Sequence, residues 1–228
     1  MSNSLSDMPR YSAPLYCCPL CHSTDLSEFH VDRRRCYLRC DVCALVSVAS
    51  AYHLSAAEEH AEYIKHENNP EDAGYRRFLG RLASPLLAQL PHVSHGLDFG
   101  CGPGPTLSLM LEEHGHTVSL YDKFFNPDAN VFNAKYDFIC ATEVIEHLHD
   151  PATELDRLWQ CLRPGGVLAI MTKLVISQHA FGQWHYKNDP THIVFFSKET
   201  LEWLAQRWQA ELQYFGSDAF IFTKGCAG

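Results

Sequence analysis

The sequence predicts no segment that would carry the protein into or across a membrane. No stretch of its 228 residues approaches the roughly 18 consecutive apolar residues that a membrane helix requires. The first ten residues, MSNSLSDMPR, contain an acid and a proline where a signal peptide would need a basic start followed by an apolar stretch. We therefore expect a soluble, cytoplasmic protein without a membrane partner.

Positive charge is also scarce. The chain has 18 Lys and Arg against 27 Asp and Glu, a net charge of −9, and no internal repeat or low-complexity segment. Residues 1–50 hold five basic and five acidic side chains, so the excess acidity belongs to residues 51–228. A broad cationic surface for nucleic acid is therefore not expected. With 46% apolar and 20% charged residues, the composition predicts a globular protein with one full-sized domain and a small appendage.

Cysteines, by contrast, are concentrated near the start of the chain. Four of the ten have the pattern C-x2-C-x18-C-x2-C, which is the spacing of a four-thiolate zinc site: Cys18, Cys21, Cys40 and Cys43. About forty residues bury too little apolar surface to fold alone, so the binding energy of zinc would serve as folding energy. The pattern predicts a structural zinc ribbon, with a redox role for one C-x2-C pair as the alternative. Cys17 could replace Cys18 as a ligand.

Four arginines lie in the predicted hairpin between the two cysteine pairs: Arg33, Arg34, Arg35 and Arg39. We interpret them first as a solvated turn and second as a contact for a phosphate or an acidic partner.

The remainder of the chain has the alternating pattern of an open parallel sheet covered by helices. Two linker helices are predicted, from Ser55 towards Pro70 and over about 73–90. Further strands are expected near 96–99, 117–121, 136–141 and 167–172, further helices near 105–114, 151–162 and 198–208, and an antiparallel final pair at 210–216 and 219–225. The predicted divisions are a ribbon with its tail (1–52), a helical linker (53–95) and a sheet domain (96–228).

A glycine-rich loop follows the first strand of the predicted sheet domain. Its sequence is D-F-G-C-G-P-G, with Asp98 before Gly100, Gly102 and Gly104. Glycines allow a sharp turn and a close approach of the backbone to a ligand. The spacing is G-x-G-x-G, unlike the G-x-G-x-x-G of nicotinamide dehydrogenases, and no lysine follows as a P-loop requires.

With these motifs the chain resembles the class I S-adenosylmethionine-dependent methyltransferases over about 96–228. The S-L-Y-D segment that ends at Asp122 and the L-R-P-G-G-V-L turn at 162–168 support the resemblance. It implies a seven-stranded Rossmann-like sheet with an antiparallel last pair, and Asp122 accepting both ribose hydroxyls of the cofactor. The short, acid-poor segment 125–135 departs from the family pattern. The cofactor-binding residues that the resemblance implies are Asp98, Phe99, Gly100, Cys101, Gly102, Gly104, Asp122, Thr142 and Glu143.

A second motif, E-V-I-E-H, follows the predicted strand at 136–141. In a helix, Glu143, Glu146 and His147 would share one face. The segment resembles one in quinone-biosynthesis O-methyltransferases and in the enzymes that methylate the 3′-terminal ribose of small RNAs. That resemblance implies a divalent cation held by these three residues and His192. The alternative is a metal-free site, because many small-molecule methyltransferases carry the same motif.

The insert 173–197 follows the last parallel strand, where open α/β sheets bind ligands, and is the predicted substrate lid. The candidate catalytic bases are His147, His185 and His192. We therefore predict an S-adenosylmethionine-dependent methyltransferase for a small-molecule acceptor, through a hydroxyl or a comparably activated carbon or nitrogen. The rivals are an RNA methyltransferase that grips RNA with the ribbon, and a non-enzymatic adaptor that binds a protein.

Overall fold

Two β-sheets organise the protein in a computed structural model that describes residues 16–65, 68–91 and 93–226. The smaller sheet is antiparallel, with strand order β1-β2-β3-β8; the larger has the order β5-β4-β6-β7-β10-β9. The strands are β1 (Leu26–Val31), β2 (Cys36–Cys40), β3 (Val46–Val48), β4 (His95–Phe99), β5 (Thr117–Tyr121), β6 (Tyr136–Thr142), β7 (Leu162–Met171), β8 (Val194–Phe195), β9 (Glu211–Phe215) and β10 (Ala219–Thr223). Strands β4 to β7 are parallel, whereas β10 is antiparallel to both β7 and β9.

Six α-helices accompany the sheets in the described part of the chain. They are α1 (Ala56–Tyr63), α2 (Ala73–Leu87), α3 (Thr106–Glu112), α4 (Pro151–Cys161), α5 (Gln178–Gly182) and α6 (Lys198–Trp208). Their starts follow from the sequence. The predicted capping box at α1 is present, with Ser55 Oγ accepting from Glu58 N, and Asp150 caps α4 ahead of a proline at its first turn. Among the described residues, no helix has both the length and the apolar character needed to cross a membrane.

The methyltransferase-like sheet and its antiparallel end are confirmed, but the seventh strand is not found. Among the described residues the sheet has six strands and ends at β5. The segment expected to supply the missing strand instead forms a 3-10 helix, Ala129–Asn133. The segment 125–135 is too short for a helical crossover followed by another parallel strand, which needs a dozen or more residues.

The cysteine-rich head, which is the part of the chain from residue 16 to residue 52, shares one core with the large sheet. Leu20 and Leu45, from the head, belong to the same cluster of buried side chains as Leu155 of α4 and Phe196. The insert after β7 also joins the head, because Phe195 and Val194 pair with Val46 and Ser47 of β3. The head therefore packs directly against the residues that follow the carboxyl edge of the sheet. The division of the chain at 52 and 95 stays a prediction.

Candidate functional site

A cavity of about 460 Å³ opens at the carboxyl ends of β4, β5 and β6. All nine residues expected to bind the cofactor line it, and so do His147 and His192. The prediction missed the contribution of the linker, which supplies Tyr63, Asn68, Tyr75 and Phe78. A signal was present in the sequence, since aromatic residues at 75 and 78 lie beside the apolar stripe of α2.

The glycine loop forms one wall of the cavity, and close packing explains its composition. Gly100 and Gly102 have positive φ angles of 77° and 65°, and such a backbone favours glycine. A Cβ on Gly104 would lie 2.2 Å from the carbonyl oxygen of Asn68. The loop therefore turns sharply while the linker backbone passes against it.

Two carboxylates flank this loop. Asp98 lies one residue before the end of β4 and is buried. Burial, together with the nearby Asp122, raises the pKa of its carboxyl to about 7. Asp122 follows β5, where Oδ2 accepts from Gly102 N at 3.1 Å and Oδ1 accepts from the backbone amides of Phe124 and Phe125. These bonds fix the Asp122 carboxylate at the cavity wall, between the glycine loop and the turn after β5.

Thr142 and Glu143 extend this wall at the end of β6. Among the described residues, Thr142 Oγ1 and Glu143 Oε1 are buried without a hydrogen-bond partner. Buried polar atoms without partners are costly, so a bound polar group in the cavity would satisfy them. Together with the glycine loop and the two carboxylates that flank it, these atoms fit a ligand that has both an amino acid end and a diol.

The E-V-I-E-H segment does not form a helix, which was the condition for its three polar side chains to share one face. Glu143 is left-handed, with a φ of 52°, and only Ile145–His147 forms a 3-10 turn. The turn separates Glu143 from the other two residues and buries Glu146 completely. The expected face of three side chains therefore does not form.

A Glu–His cluster, defined here as Glu146, His147 and His192, forms instead. One donor atom from each of the three residues lies within 4.8 Å of the others. His147 Nδ1 lies 3.1 Å from the Thr191 carbonyl oxygen, and His192 Nδ1 lies 2.8 Å from that of Tyr186. Because a carbonyl only accepts, each Nδ1 donates, and the neutral ring carries its lone pair on Nε2. Burial lowers the pKa of His192, which favours this neutral form.

Tyr186 connects Glu143 to the cluster. Its hydroxyl hydrogen bonds to Glu146 Oε1 and lies 3.2 Å from Glu143 Oε2, while Thr172 Oγ1 donates to Glu146 Oε2 at 3.1 Å. Burial, and next the Glu143 charge, raise the pKa of Glu146 to about 8. A carboxyl so placed holds a proton near neutral pH unless a cation takes its place.

The insert covers this side of the cavity, although one of its predicted residues lies elsewhere. Lys173, Tyr186, Asp189 and His192 line the cavity. His185 is exposed and absent from the lining, because the 3-10 helix His185–Asn188 turns it outward, with Nε2 3.4 Å from Lys173 Nζ. His185 therefore does not face the cavity in which we expected it to act.

The four predicted zinc ligands converge in the head. The Cys18 and Cys43 sulfurs lie 3.5 Å apart, those of Cys21 and Cys40 lie 3.4 Å apart, and all four fall within 4.8 Å of one another. A hydrogen bond with Cys43 lowers the pKa of Cys18 to about 5, whereas burial raises that of Cys21 to about 11. Four cysteine sulfurs this close offer the donor set of one metal ion, and the set fits tetrahedral zinc. Cys17 is exposed and lies outside the cluster.

The first interpretation of the hairpin arginines, a solvated turn, is wrong for one of them. Arg33 and Arg34 are exposed, but Arg35 is 6% exposed. Its guanidinium donates to backbone carbonyls of the insert, including that of His192 at 2.8 Å. No feature of the sequence near Arg35 distinguishes it from its neighbours, so the contact could not be predicted.

Comparison with known proteins agrees with this geometry. A family model described as a methyltransferase domain matches residues 72–214. The chain belongs to this methyltransferase family. The family resemblance stated from the sequence is therefore confirmed, and the match begins at the N-cap of α2 and includes the glycine loop, the Glu–His cluster and the insert.

Several curated proteins named trans-aconitate 2-methyltransferase are similar to this chain. The protein from Rhizobium leguminosarum bv. trifolii is 33% identical over 111 residues, covering 40% of this chain and 43% of its own. The one from Rhizobium rhizogenes is 30% identical over 141 residues, covering 52% and 55%. The chain thus spans about half the length of the curated relatives it matches.

Among solved structures, the chain is similar to Burkholderia thailandensis 1,6-didemethyltoxoflavin-N1-methyltransferase, whose crystal structure holds 1,6-didemethyltoxoflavin and S-adenosylhomocysteine. The TM-score is 0.51 at 18% identity, and the match covers 87% of this chain and 98% of that chain. At this identity the likeness establishes the shared fold.

Proposed function

We propose that the protein transfers a methyl group from S-adenosylmethionine to a hydroxyl oxygen of a small-molecule acceptor. The proposal is supported by one observation, which is that the glycine loop and the E-V-I-E-H motif line the same cavity. The glycine loop with Asp98 and Asp122 forms one side, and His147 and His192 line the other. A donor held by the first set would present its methyl group towards the second.

The cofactor side provides a contact for each polar part of S-adenosylmethionine. The buried Asp98 carboxylate suits its ammonium group, and Asp122 suits its two ribose hydroxyls because a carboxylate offers two acceptor oxygens. When bound, the sulfonium supplies an electrophilic methyl group. The residues that hold it contribute alignment and the exclusion of water.

The acceptor side provides a base. His192 is the candidate we favour, because its Nδ1 donates to a backbone carbonyl and its buried ring is neutral at pH 7. An imidazole in this tautomer accepts a proton on Nε2 as the acceptor oxygen forms its new bond to carbon. His147 lies beside it, with ring centroids 4.6 Å apart, and is the second candidate.

A second form of the same proposal places a divalent cation on the Glu–His cluster. Metal-binding histidines typically donate their other ring nitrogen to a carbonyl or carboxylate, as both histidines do here. One carboxylate and two imidazoles leave positions open on an octahedral ion for acceptor oxygens. In this form the residues orient the acceptor, and the ion lowers the pKa of its hydroxyl.

Three observations favour a small molecule over RNA. The curated relatives carry the name of a small acid, trans-aconitate. Of the four hairpin arginines offered as an RNA contact, Arg35 is buried and its guanidinium bonds to the insert. With a net charge of −9, the chain has little with which to hold a polyanion.

The first experiment is calorimetric titration of S-adenosylmethionine into the full chain. We expect binding by the wild type and a loss of about ten-fold or more for Asp122→Ala, since a charge-assisted contact is removed. Asp128→Ala is the matched control, because this exposed acid follows the same strand and is absent from the cavity lining. No binding by the wild type, or equal binding by Asp122→Ala, would refute the cofactor assignment.

The second experiment measures release of S-adenosylhomocysteine with three acceptor classes. Small phenols and alcohols test whether the acceptor is a hydroxyl. Trans-aconitate, which appears in the names of the relatives, tests whether the acceptor is a carboxylate. Short RNA tests the alternative that the protein is an RNA methyltransferase. Turnover with trans-aconitate alone would keep a small-molecule methyltransferase and overturn the hydroxyl. Cofactor binding with no turnover in any class would favour the adaptor.

A further inference from the structure

We infer that Arg35 is a positioning residue for the acceptor side of the cavity, which it reaches from the cysteine-rich head. The inference rests on the proposed function only in calling that side catalytic. The Arg35 side chain crosses from the turn between β1 and β2 to the insert. There its Nη1 donates to the His192 carbonyl oxygen at 2.8 Å, and its Nη2 donates to that of Asp189 at 3.1 Å and to that of Lys187.

These bonds form in a buried place, where they are difficult to replace. Arg35 is 6% exposed and Lys187 is 5% exposed. The Arg35 Nε also donates to the Tyr37 hydroxyl at 3.2 Å. A planar guanidinium with five donors can satisfy several carbonyls at once, whereas an ammonium group acts as a single point. Loss of the guanidinium would remove a donor from three carbonyls of the insert. The Lys187 carbonyl would keep the Tyr37 hydroxyl and that of Asp189 would keep the His192 amide, whereas no other donor to the His192 carbonyl is found among the described residues.

An ion pair reinforces the same junction. Lys187 Nζ donates to Asp32 Oδ2 at 2.8 Å, and Asp32 Oδ1 accepts from the backbone amides of Arg34 and Arg35. Although burial opposes it, the Lys187 ammonium and these amides hold the pKa of Asp32 well below its usual range. The two amide bonds to Asp32 therefore fix the path of the turn that carries Arg35, and the ion pair with Lys187 joins this turn to the insert at a second place.

Arg35 and strand β3, both in the head, bind successive parts of the insert. Arg35 binds residues 187–192, and β3 then pairs with β8 at Val194 and Phe195. Between these points, Ile193 N donates to the Glu146 carbonyl oxygen at 2.9 Å. His192 thus lies in a short segment whose backbone is bound on both sides. Its imidazole can face the cavity only while that segment keeps its path.

Amide hydrogen exchange on the full chain tests the inference without an identified acceptor. In Arg35→Ala we expect exchange at 187–193 to be about ten-fold faster or more, because buried donors to that segment are lost. Exchange at the glycine loop 98–104 and the affinity for S-adenosylmethionine should stay within about two-fold of the wild type. Arg33→Ala is the matched control, since this residue lies in the same turn and is exposed.

A second measurement distinguishes a role of Arg35 in positioning His192 from a general contribution to folding stability. The imidazole nitrogen-15 signals of His192 should report the Nδ1-protonated tautomer in the wild type and shift towards an averaged state in Arg35→Ala. Added guanidinium at low millimolar concentration should restore both signals and protection in Arg35→Ala. Ammonium should not restore them, and Arg35→Lys should recover only part of the protection.

Two outcomes overturn the inference. Unchanged exchange at 187–193 in Arg35→Ala would show that the segment does not need the guanidinium. Global loss of structure and of cofactor binding in both Arg35→Ala and Arg35→Lys would assign Arg35 to overall folding. If the wild type itself bound no S-adenosylmethionine, the proposed function would fail, while the exchange comparison would still judge the role of Arg35.

Discussion

The Arg35 guanidinium lies 2.8 Å from the backbone carbonyl oxygen of His192, although 157 positions separate the two residues. One belongs to the hairpin between the cysteine pairs, and the other lines the cavity at the end of the sheet. The head is therefore part of the cavity's structural support. Any change that loosens the cysteine cluster should reach the cavity through this contact.

The first prediction concerns the metal of the head. We expect one zinc ion per chain by elemental analysis, lost in Cys21→Ser together with on the order of 3 kcal/mol or more of unfolding free energy. Cys36→Ser is the control, because Cys36 lies on the same hairpin but outside the cluster. Full zinc content in Cys21→Ser would contradict the four-thiolate assignment.

The second prediction compares two glycines. A Cβ at position 104 would lie 2.2 Å from the Asn68 carbonyl oxygen, whereas a Cβ at Gly80 would meet nothing within 4 Å. Gly104→Ala should displace the loop and weaken binding of S-adenosylmethionine by about ten-fold or more. Gly80→Ala lies within α2 and should raise the free energy of unfolding by about 0.5–1 kcal/mol with binding unchanged. Calorimetry and urea denaturation measure both effects, and equal cofactor affinities would contradict the steric argument.

The third prediction follows from the buried carboxyl of Asp98, whose pKa is raised to about 7. Binding of the cofactor's ammonium group needs the ionised form, so affinity should fall several-fold from pH 7.5 to pH 6. Binding at pH 7 should release a proton, which calorimetry in two buffers of different ionisation enthalpy detects. Asp98→Asn should bind more weakly and lose both effects.

The Asp98 carboxyl also affects the free energy of unfolding. This free energy should fall as the pH rises, whereas the affinity for the cofactor should increase. A raised folded pKa gives a contribution that is present below the unfolded value, near 3.9, and lost as the pH rises through about 7. Relative to the wild type, Asp98→Asn should therefore gain on the order of 2 kcal/mol in unfolding free energy between pH 5 and pH 8. A constant difference across that range would show that Asp98 ionises normally.

The sequence predicted the parts of the molecule that local patterns determine. Strand β5 and helix α6 were predicted at their observed bounds, because turn residues, caps and apolar periodicity all agree there. The cysteine spacing predicted the cluster of four that the structure brings together, and the glycine loop was assigned from its place between a strand and a helix together with the family resemblance. The segment after Asp122 is too short for the extra strand, and its length is visible in the sequence. The prediction of seven strands nevertheless followed the family resemblance.

Contacts between distant segments could not be predicted. The left-handed backbone at Glu143 and the outward turn at His185 depend on the packing of the insert, which periodicity does not report. Tyr186 hydrogen bonds to two carboxylates, and its ring packs in one buried cluster with Tyr37 and Val46 of the head, which are distant in sequence. A strained non-glycine residue beside a cavity is a common sign of function, but it is visible only in three dimensions.

The final prediction separates the metal-bound from the metal-free form of the site, using Mn²⁺ as the probe. The Glu–His cluster includes Glu146 but not Glu143, although both residues belong to the same sequence motif. Glu146→Gln keeps the size and hydrogen-bonding capacity of the side chain beside Tyr186 and Thr172 while removing its charge. If a cation belongs here, the wild type should bind one Mn²⁺ at pH 8, measured by electron paramagnetic resonance, and Glu146→Gln should bind about ten- to a hundred-fold more weakly. Glu143→Gln should keep wild-type affinity, because its carboxylate lies outside the ligand group. No Mn²⁺ binding by the wild type would leave His192 as the base without a metal, and loss of binding in Glu143→Gln instead would contradict the three-residue ligand set.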